Sequence, residues 1–238
     1  MHIIMITNDD GISSDGLFRL VKAAKAFGDI CVVAPDGQRS AASHSITLHD
    51  EIVVTPYEYP VEGVKAYTCS GTPADCVRVG SLNLMDRKPD VVLSGVNHGY
   101  NVASDIQYSA TVGAAFEASF QGYHAIALSE GMSPCHEVTD DHLSKILEEL
   151  LEKPLQPGQI FNVNFPDCAK SECKGVLYDR TVSRGIPYQD HYVEKGKLSN
   201  GGIRFMVEGD VSTECEEGSD YRAILENYVS VGVVNNIM

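Results

Sequence analysis

The chain has 238 residues with 33 Asp and Glu against 18 Lys and Arg, a formal charge of −15 and an isoelectric point of about 4.8. Such an acid excess excludes a protein that neutralises nucleic-acid phosphates with a basic face, and equally one that adheres to anionic membranes by charge. A hydrophobic share of 43 % and a mean hydropathy of −0.10 are those of a soluble globular protein long enough for a sizeable core.

The apolar start His2–Ile6 gives way at once to Asn8-Asp9-Asp10-Gly11, so it reads as a short buried strand and neither as a leader peptide nor as a membrane span. Leu17, Leu20, Val21 and Ala24 follow at helical spacing, completing a βα unit. Ile30–Ala34 is a second apolar strand stopped by Pro35-Asp36-Gly37, and Asp90–Ser94 a third stopped by Gly95. All three are apolar on both alternating faces, as parallel strands covered by helices are. Helices are expected at Pro73–Met85, where Thr72 caps and Pro73 takes the first position, at Gln107–Phe120 and at Thr139–Glu152. His124–Ser129 and Ile160–Phe165 return to the sheet. Residues 1–166 therefore predict a doubly wound, mostly parallel α/β domain. Residues 167–238, polar and rich in Gly, Tyr and charge over 178–202, predict an appendage of hairpins or extended arms with strands at Ile203–Val207 and Tyr228–Val234, used in oligomerisation. Seven scattered cysteines without a C-x-x-C pair indicate neither a disulfide framework nor a zinc ribbon, and place the chain in a reducing, cytoplasmic compartment.

In open α/β sheets ligands bind beyond the carboxyl ends of the strands. After the first strand stand Asp9 and Asp10. Neighbouring carboxylates that converge at a strand end repel unless a proton or cation intervenes, and Mg²⁺ or Mn²⁺, hard ions that take carboxylate, amide and water oxygens, suit them. A bare D-D-G equally suits a helix-capping turn. After the second strand come Gln38-Arg39-Ser40 through Ser45, and after the third Ser94-Gly95-Val96-Asn97-His98-Gly99-Tyr100-Asn101. Polar loop residues are ordinary singly; their coincidence at three strand ends is what points to a site. Tyr108-Ser109-Ala110-Thr111 opens a helix, whose free amides form a phosphate cradle that needs no Lys or Arg, and Gly71-Thr72-Pro73 is a second such cradle; each also reads as a plain N-cap.

These ordered segments, Ile6–Gly11, Ala34-Pro35 with Arg39-Ser40, Gly71–Val77, Asp90–Gly99 and Tyr108–Ala115, resemble the SurE family of survival-protein nucleotidases. The match is close over residues 1–130 and looser at Asn162–Pro166 and Tyr221–Val231. The resemblance implies a Rossmann-like domain and a metal-dependent phosphomonoesterase acting on nucleoside 5′- and 3′-monophosphates, in some members also on short polyphosphate. It implies one divalent cation per subunit, held by Asp9, Asp10, the Ser40 hydroxyl and the Asn97 amide oxygen, with Asn101, Ser109 and Thr111 on the phosphate. It also implies a homodimer or homotetramer with exchanged C-terminal segments. Asp9 is the choice for orienting or deprotonating the attacking water, a phospho-Asp intermediate being the open alternative. The family usually has Gly where this chain has Ala41, Gly-Asp-Asp where it has Ala103-Ser104-Asp105, and Gly where it has Ala110. Each added Cβ narrows the pocket or requires φ < 0.

His44 and His98 lie in the candidate loops, within reach of a substrate or leaving group. His124 reads as structural, and His191 falls in the polar arm. A phospho-receiver would carry an acceptor Asp after its third strand, where this chain has Ser94-Gly95-Val96-Asn97. A haloacid-dehalogenase-type phosphatase would show D-x-D-x-T, where it has Asn8-Asp9-Asp10-Gly11-Ile12. A nucleotide-binding module without catalysis is the remaining rival, and phosphate release separates it from an enzyme.

Overall fold

In the first strand, β1 (His2–Thr7), alternate side chains leave on opposite faces and both faces are buried: Ile4 and Ile6 join one apolar cluster and Met5 the other. The same division holds along β2 (Gly28–Pro35), β5 (Val91–His98) and β6 (His124–Glu130) in this computed structural model, which describes residues 1–236. One face is covered by α1 (Asp15–Ala24) and α4 (Glu137–Leu150). Ser14 caps α1 by accepting from the Leu17 amide, and Leu17, Leu20, Val21 and Ala24 are the buried stripe. Each fully buried leucine there contributes roughly 1.5–3 kcal/mol. The other face is covered by α2 (Pro73–Val79) and α3 (Ala110–Phe120), where Ala114, Ala115 and Ala118 meet Ala125 and Ala127, so that helix and sheet approach closely.

With β3 (Val54–Pro56), β4 (Lys65–Cys69), β7 (Gln159–Phe165), β8 (Val176–Leu177) and β11 (Val229–Asn235), the sheet runs β3-β4-β2-β1-β5-β6-β7-β11-β8. The strands from β4 to β7 are parallel, while β3 and β11 lie antiparallel to their neighbours β4 and β7. The chain leaves β1 toward β2 on one side and later returns to place β5 on the other. The crevice beyond the ends of β1 and β5 is thus the switch point at which such sheets bind ligands.

Several boundaries differ from expectation. The strand expected to stop at Gly95 continues to His98, through an irregularity in its pairing with β6 between Ser94 and Asn97. The helix expected over Pro73–Met85 is α-helical only to Val79 and then widens into a π turn over Gly80–Leu84, where a side chain at Gly80 would collide with Met5. The helix expected from Gln107 starts at Ala110, behind a 3-10 turn over Ala103–Gln107. The chain beyond residue 166 is not one appendage. Its last strand, β11, pairs with β7 inside the main sheet, and α5 (Asp220–Leu225) packs beside it. Only the hairpin of β9 (Tyr188–Lys197) and β10 (Ile203–Val211) forms a separate two-stranded sheet, exposed along nearly its whole length.

Candidate active site

The loop after β1 is shaped by Asn8, a fully buried residue. Its amide nitrogen donates to the Gly11 carbonyl at 3.1 Å and to Ser14 Oγ at 2.7 Å, and its amide oxygen accepts from the Gly11 amide at 3.2 Å. Gly11 takes φ of +99°, which a side chain would strain. That closed turn presents Asp9 and Asp10 at the edge of the sheet.

Asp9 is 4 % exposed and its Oδ1 accepts a 2.5 Å hydrogen bond from the Thr111 hydroxyl in the first turn of α3. Burial, opposed by Thr111 and reinforced by the charge of Asp10, pushes its carboxyl up to about 6. Asp10 accepts from the His98 amide at 3.2 Å, and burial raises its carboxyl as well. The loop after β2 is tied to the same point, since the Arg39 amide donates to the Asp9 carbonyl at 2.7 Å. Carboxylates from β1, the backbone at the end of β5, the loop after β2 and the N-terminus of α3 therefore meet at one place.

The expected residues divide between this point and its surroundings. Asp9, Asp10 and Thr111 are in contact or adjacent. Asn97 precedes His98, whose amide meets Asp10, at the end of β5, and its own amide nitrogen donates to the Gly99 carbonyl at 2.8 Å. Ser40 is on the tied loop, but its exposed hydroxyl accepts from Gln38 at 2.9 Å rather than meeting either carboxylate. Ser109 caps α3 by accepting from the Val112 amide at 3.1 Å. Asn101, 5 % exposed, is locked in a polar network: its amide nitrogen donates to Ser129 at 2.7 Å, its backbone amide to Asn164 at 2.8 Å, and its carbonyl accepts from Asn162 and Asn164. Asn162 and Asn164 alternate on β7, so both face this network.

The second cradle, at Thr72, is filled by its own chain. Asp75 accepts from the Thr72 amide at 2.9 Å and from the Thr47 hydroxyl at 2.7 Å, closing a capping box on a seven-residue helix.

His44 is likewise engaged elsewhere. Its Nε2 is 2.9 Å from Glu117 Oε2, and its ring lies 5.2 Å from that of Phe120. Glu117, buried in α3, also accepts from Arg78 at 3.0 Å and Gln121 at 2.9 Å. Burial works to raise its carboxyl, but His44, Gln121 and Arg78 hold it below the ordinary value. His124 packs on Phe161 at 5.7 Å, and burial lowers its pKa. Ala41 and Ala103, where a Cβ was expected to narrow the pocket or demand negative φ, adopt φ of +55° and +50°, so the second alternative does not hold.

Beside Asp10 opens a cleft of about 480 Å³ lined among others by His98, Arg19, Glu130, Met132 and His136. Glu130, at the end of β6, is 3 % exposed and is bonded by Arg19, by His136 Nδ1 at 3.1 Å and by Thr139 at 2.6 Å. Reading strand ends would have reached Glu130, which follows the strand expected at His124–Ser129. Arg19, 111 residues away from its partner on a helix, carries no such signal.

Among the described residues no three side chains of His, Cys, Asp and Glu gather as a metal cage. The donors at the switch point are instead two carboxylates with neutral amide and hydroxyl oxygens nearby, a set suited to a hard divalent cation that keeps several waters.

The comparisons agree on one family. The model for the family described as "Survival protein SurE" matches residues 4–186. A protein named 5′-nucleotidase SurE from Synechococcus sp. is 38 % identical over 239 residues, covering 96 % of this chain and 89 % of its own length. Another of the same name from Alkaliphilus metalliredigens is 35 % identical over 233 residues, covering 96 % and 90 %. The crystal structure of the SurE protein from Aquifex aeolicus superposes with a TM-score of 0.81 at 31 % identity, covering 99 % of this chain and 94 % of that one.

Proposed function

The chain belongs to the SurE family, and from that membership and the geometry at the switch point we propose that it is a metal-dependent nucleotidase, hydrolysing nucleoside 5′- and 3′-monophosphates to nucleoside and phosphate. The observation that carries the reading is the 2.5 Å contact between the Thr111 hydroxyl and Asp9, because it joins the helix N-terminus that would hold a phosphate to the acidic pair that would hold a cation.

Asp9, Asp10 and Asn97 Oδ1 would hold the cation, with Ser40 brought in by rotation of its hydroxyl away from Gln38. The buried Asp9 and half-buried Asp10 fit this use: burial raises both carboxyls and the charge of Asp10 raises Asp9 further, so a cation would take the place of a proton there. When bound, a divalent cation polarises a phosphoryl oxygen and lowers the pKa of a water. Asp9 orients and deprotonates the water, one oxygen being fixed by Thr111. The first amides of α3, at Ala110 and Thr111, lack acceptors one turn back within the helix and serve the phosphoryl oxygens that gain charge. Water forms the new P–O bond, the ester P–O bond breaks, and the leaving oxygen takes a proton, for which His98 in the adjoining cleft is the donor at hand.

The subunits associate as a homodimer or homotetramer through exchanged C-terminal segments. Support comes from the hairpin of β9 and β10, where Tyr192, Phe205, Met206 and Val207 are all more than half exposed. Cytoplasmic residence belongs to the same proposal: all seven cysteines are free, and among the described residues no helix is long and apolar enough to cross a membrane.

The test is phosphate release from a panel of nucleoside monophosphates with Mg²⁺, Mn²⁺ or EDTA. Turnover should require the cation and vanish in Asp10→Asn, with the fold retained by circular dichroism. Full turnover of that variant in EDTA would refute the metal assignment, and no phosphate release from any substrate would leave the non-catalytic nucleotide-binding module as the better reading.

A further inference from the structure

The cleft beside Asp10 is large enough for a nucleoside and begins at one of the residues assigned to the cation, so whatever is esterified to the bound phosphate has this space open to it. Its walls are mixed. Val96, Met132 and Pro134 give apolar surface, and the rings of His98 and His136 give flat partners for a base. Its charge is one-sided. Arg19 is the one cation among the lining residues, and its guanidinium is already bonded to three carboxylates: Asp15 at 2.7 Å, Asp140 at 3.1 Å and the buried Glu130. Even with Asp10 committed to a metal ion, the lining acids Asp15 and Glu130 exceed the single guanidinium by one charge, and Asp140, which holds Arg19 from outside the cleft, adds a second. An arginine so occupied offers little to a second phosphate, and the surplus charge repels one.

We infer that this cleft seats the leaving group of the substrate and that its carboxylates select an uncharged nucleoside over an anionic chain. The inference rests on the nucleotidase reading and narrows it: the family resemblance extends the expected substrates to short polyphosphate, and the acid-lined cleft disfavours them here. Asp15 is the specificity-determining residue most open to test. It sits at the first position of α1 with a side chain 67 % exposed, so replacing it leaves the core untouched.

The experiment compares kcat/KM for a nucleoside 5′-monophosphate and for inorganic tripolyphosphate, with Mn²⁺, in the full-length protein. The wild type should favour the nucleotide. Asp15→Lys changes the local charge by two, and for a phosphate charge about 8 Å away, screened as in water, this should raise tripolyphosphate relative to nucleotide by about fivefold, with Asp15→Asn giving roughly half that effect on a logarithmic scale. Both shifts should shrink in high salt. Asp29→Lys makes the same charge change on an exposed residue at the opposite edge of the sheet and should leave the ratio where it was. An unchanged ratio in Asp15→Lys, an equal change in Asp29→Lys, or a wild type that prefers tripolyphosphate overturns the inference while leaving phosphatase activity intact. Absence of phosphate release from both substrates strikes the nucleotidase reading itself, and the inference with it.

Discussion

Asp9→Asn should stabilise the cation-free protein at neutral pH while abolishing turnover. Asp9 is 4 % exposed, and burial, opposed by Thr111 and reinforced by Asp10, moves its carboxyl from 3.8 to about 6. The unfolded chain releases this proton near 3.8 and the folded chain near 6, so between those values the folded state binds it more tightly. The stability contributed by this group is therefore present below about pH 4 and is lost as pH rises through 6. At 1.36 kcal/mol per pH unit, a shift of about two units corresponds to about 3 kcal/mol. The amide removes the buried charge but weakens the bond from Thr111 by about 1 kcal/mol, which leaves a net gain of about 2 kcal/mol. For a chain of this size that is about 4–8 °C in Tm.

Calorimetry in EDTA at pH 7.5 and at pH 4 reads this directly. The variant should melt above the wild type at pH 7.5, and most of the difference should close at pH 4, where Asp9 is protonated in the folded state and close to half protonated in the unfolded one. Added Mn²⁺ should raise the wild-type Tm, by the equivalent of about 2.7 kcal/mol at a hundredfold excess over Kd, and should do little for the variant. A variant that melts at or below the wild type at both pH values would show that the acidic pair carries no stored repulsion, and the cation would lose its physical rationale.

Two further outcomes follow from the loop that carries Ser40. Ala41 is exposed with φ of +55°, so Ala41→Gly should relieve about 1–2 kcal/mol of left-handed strain against about 0.4–1 kcal/mol of added unfolded-state entropy, a gain of up to about 1.6 kcal/mol readable by urea unfolding. Glu117→Ala should cost about 1–3 kcal/mol, less than a fully buried pair because the His44 and Arg78 side chains are 26 % and 42 % exposed and can rehydrate. It should also weaken Mn²⁺ binding in titration calorimetry, since His44 is the loop's anchor on α3, whereas Glu117→Gln should lose less of both. With its pKa depressed, Glu117 stabilises the fold above about pH 4.5, and that contribution fades as the pH falls through the lowered value.

The strands β1, β2 and β5 were legible because burial on both faces writes them as continuous apolar runs. The strands β3 and β4 were not: Val54–Pro56 is a short, exposed edge, and Lys65–Cys69 mixes exposed and buried positions without clean alternation. The return of β11 to the sheet depends on pairing with β7 some seventy residues earlier, which no local pattern encodes. Near the acidic pair, the placing of Asp9, Asp10 and the end of β5 at strand ends was legible from the apolar runs that precede them. The direction of each hydrogen bond was not: the Thr111 hydroxyl donates to Asp9, and Asn101 is joined to Ser129 and two asparagines of β7 in a buried network.

The replaced glycines show most clearly where the site's geometry is decided. A Cβ at positions 41 and 103 either narrows the pocket or favours negative φ, yet Ala41, Ser43 and Ala103 all keep φ between +50° and +55°, at about 1–2 kcal/mol each. Something outside those residues must hold them. For the loop after β2 it is the Arg39 amide on Asp9, the Ser43 amide on the Tyr108 carbonyl, the Glu117–His44 bond, and Gly113 of α3, where any side chain would strike the Ser43 carbonyl at 2.4 Å. For Ala103 it is the buried Asp220 of α5, which takes the Ala103 amide at 3.1 Å and the Ser183 amide at 2.9 Å. The conformation of the loops is therefore imposed by α3 and α5 and survives loss of the glycines. Glu117 and Asp220, outside every recognisable motif, are the side chains through which those two helices hold the loops.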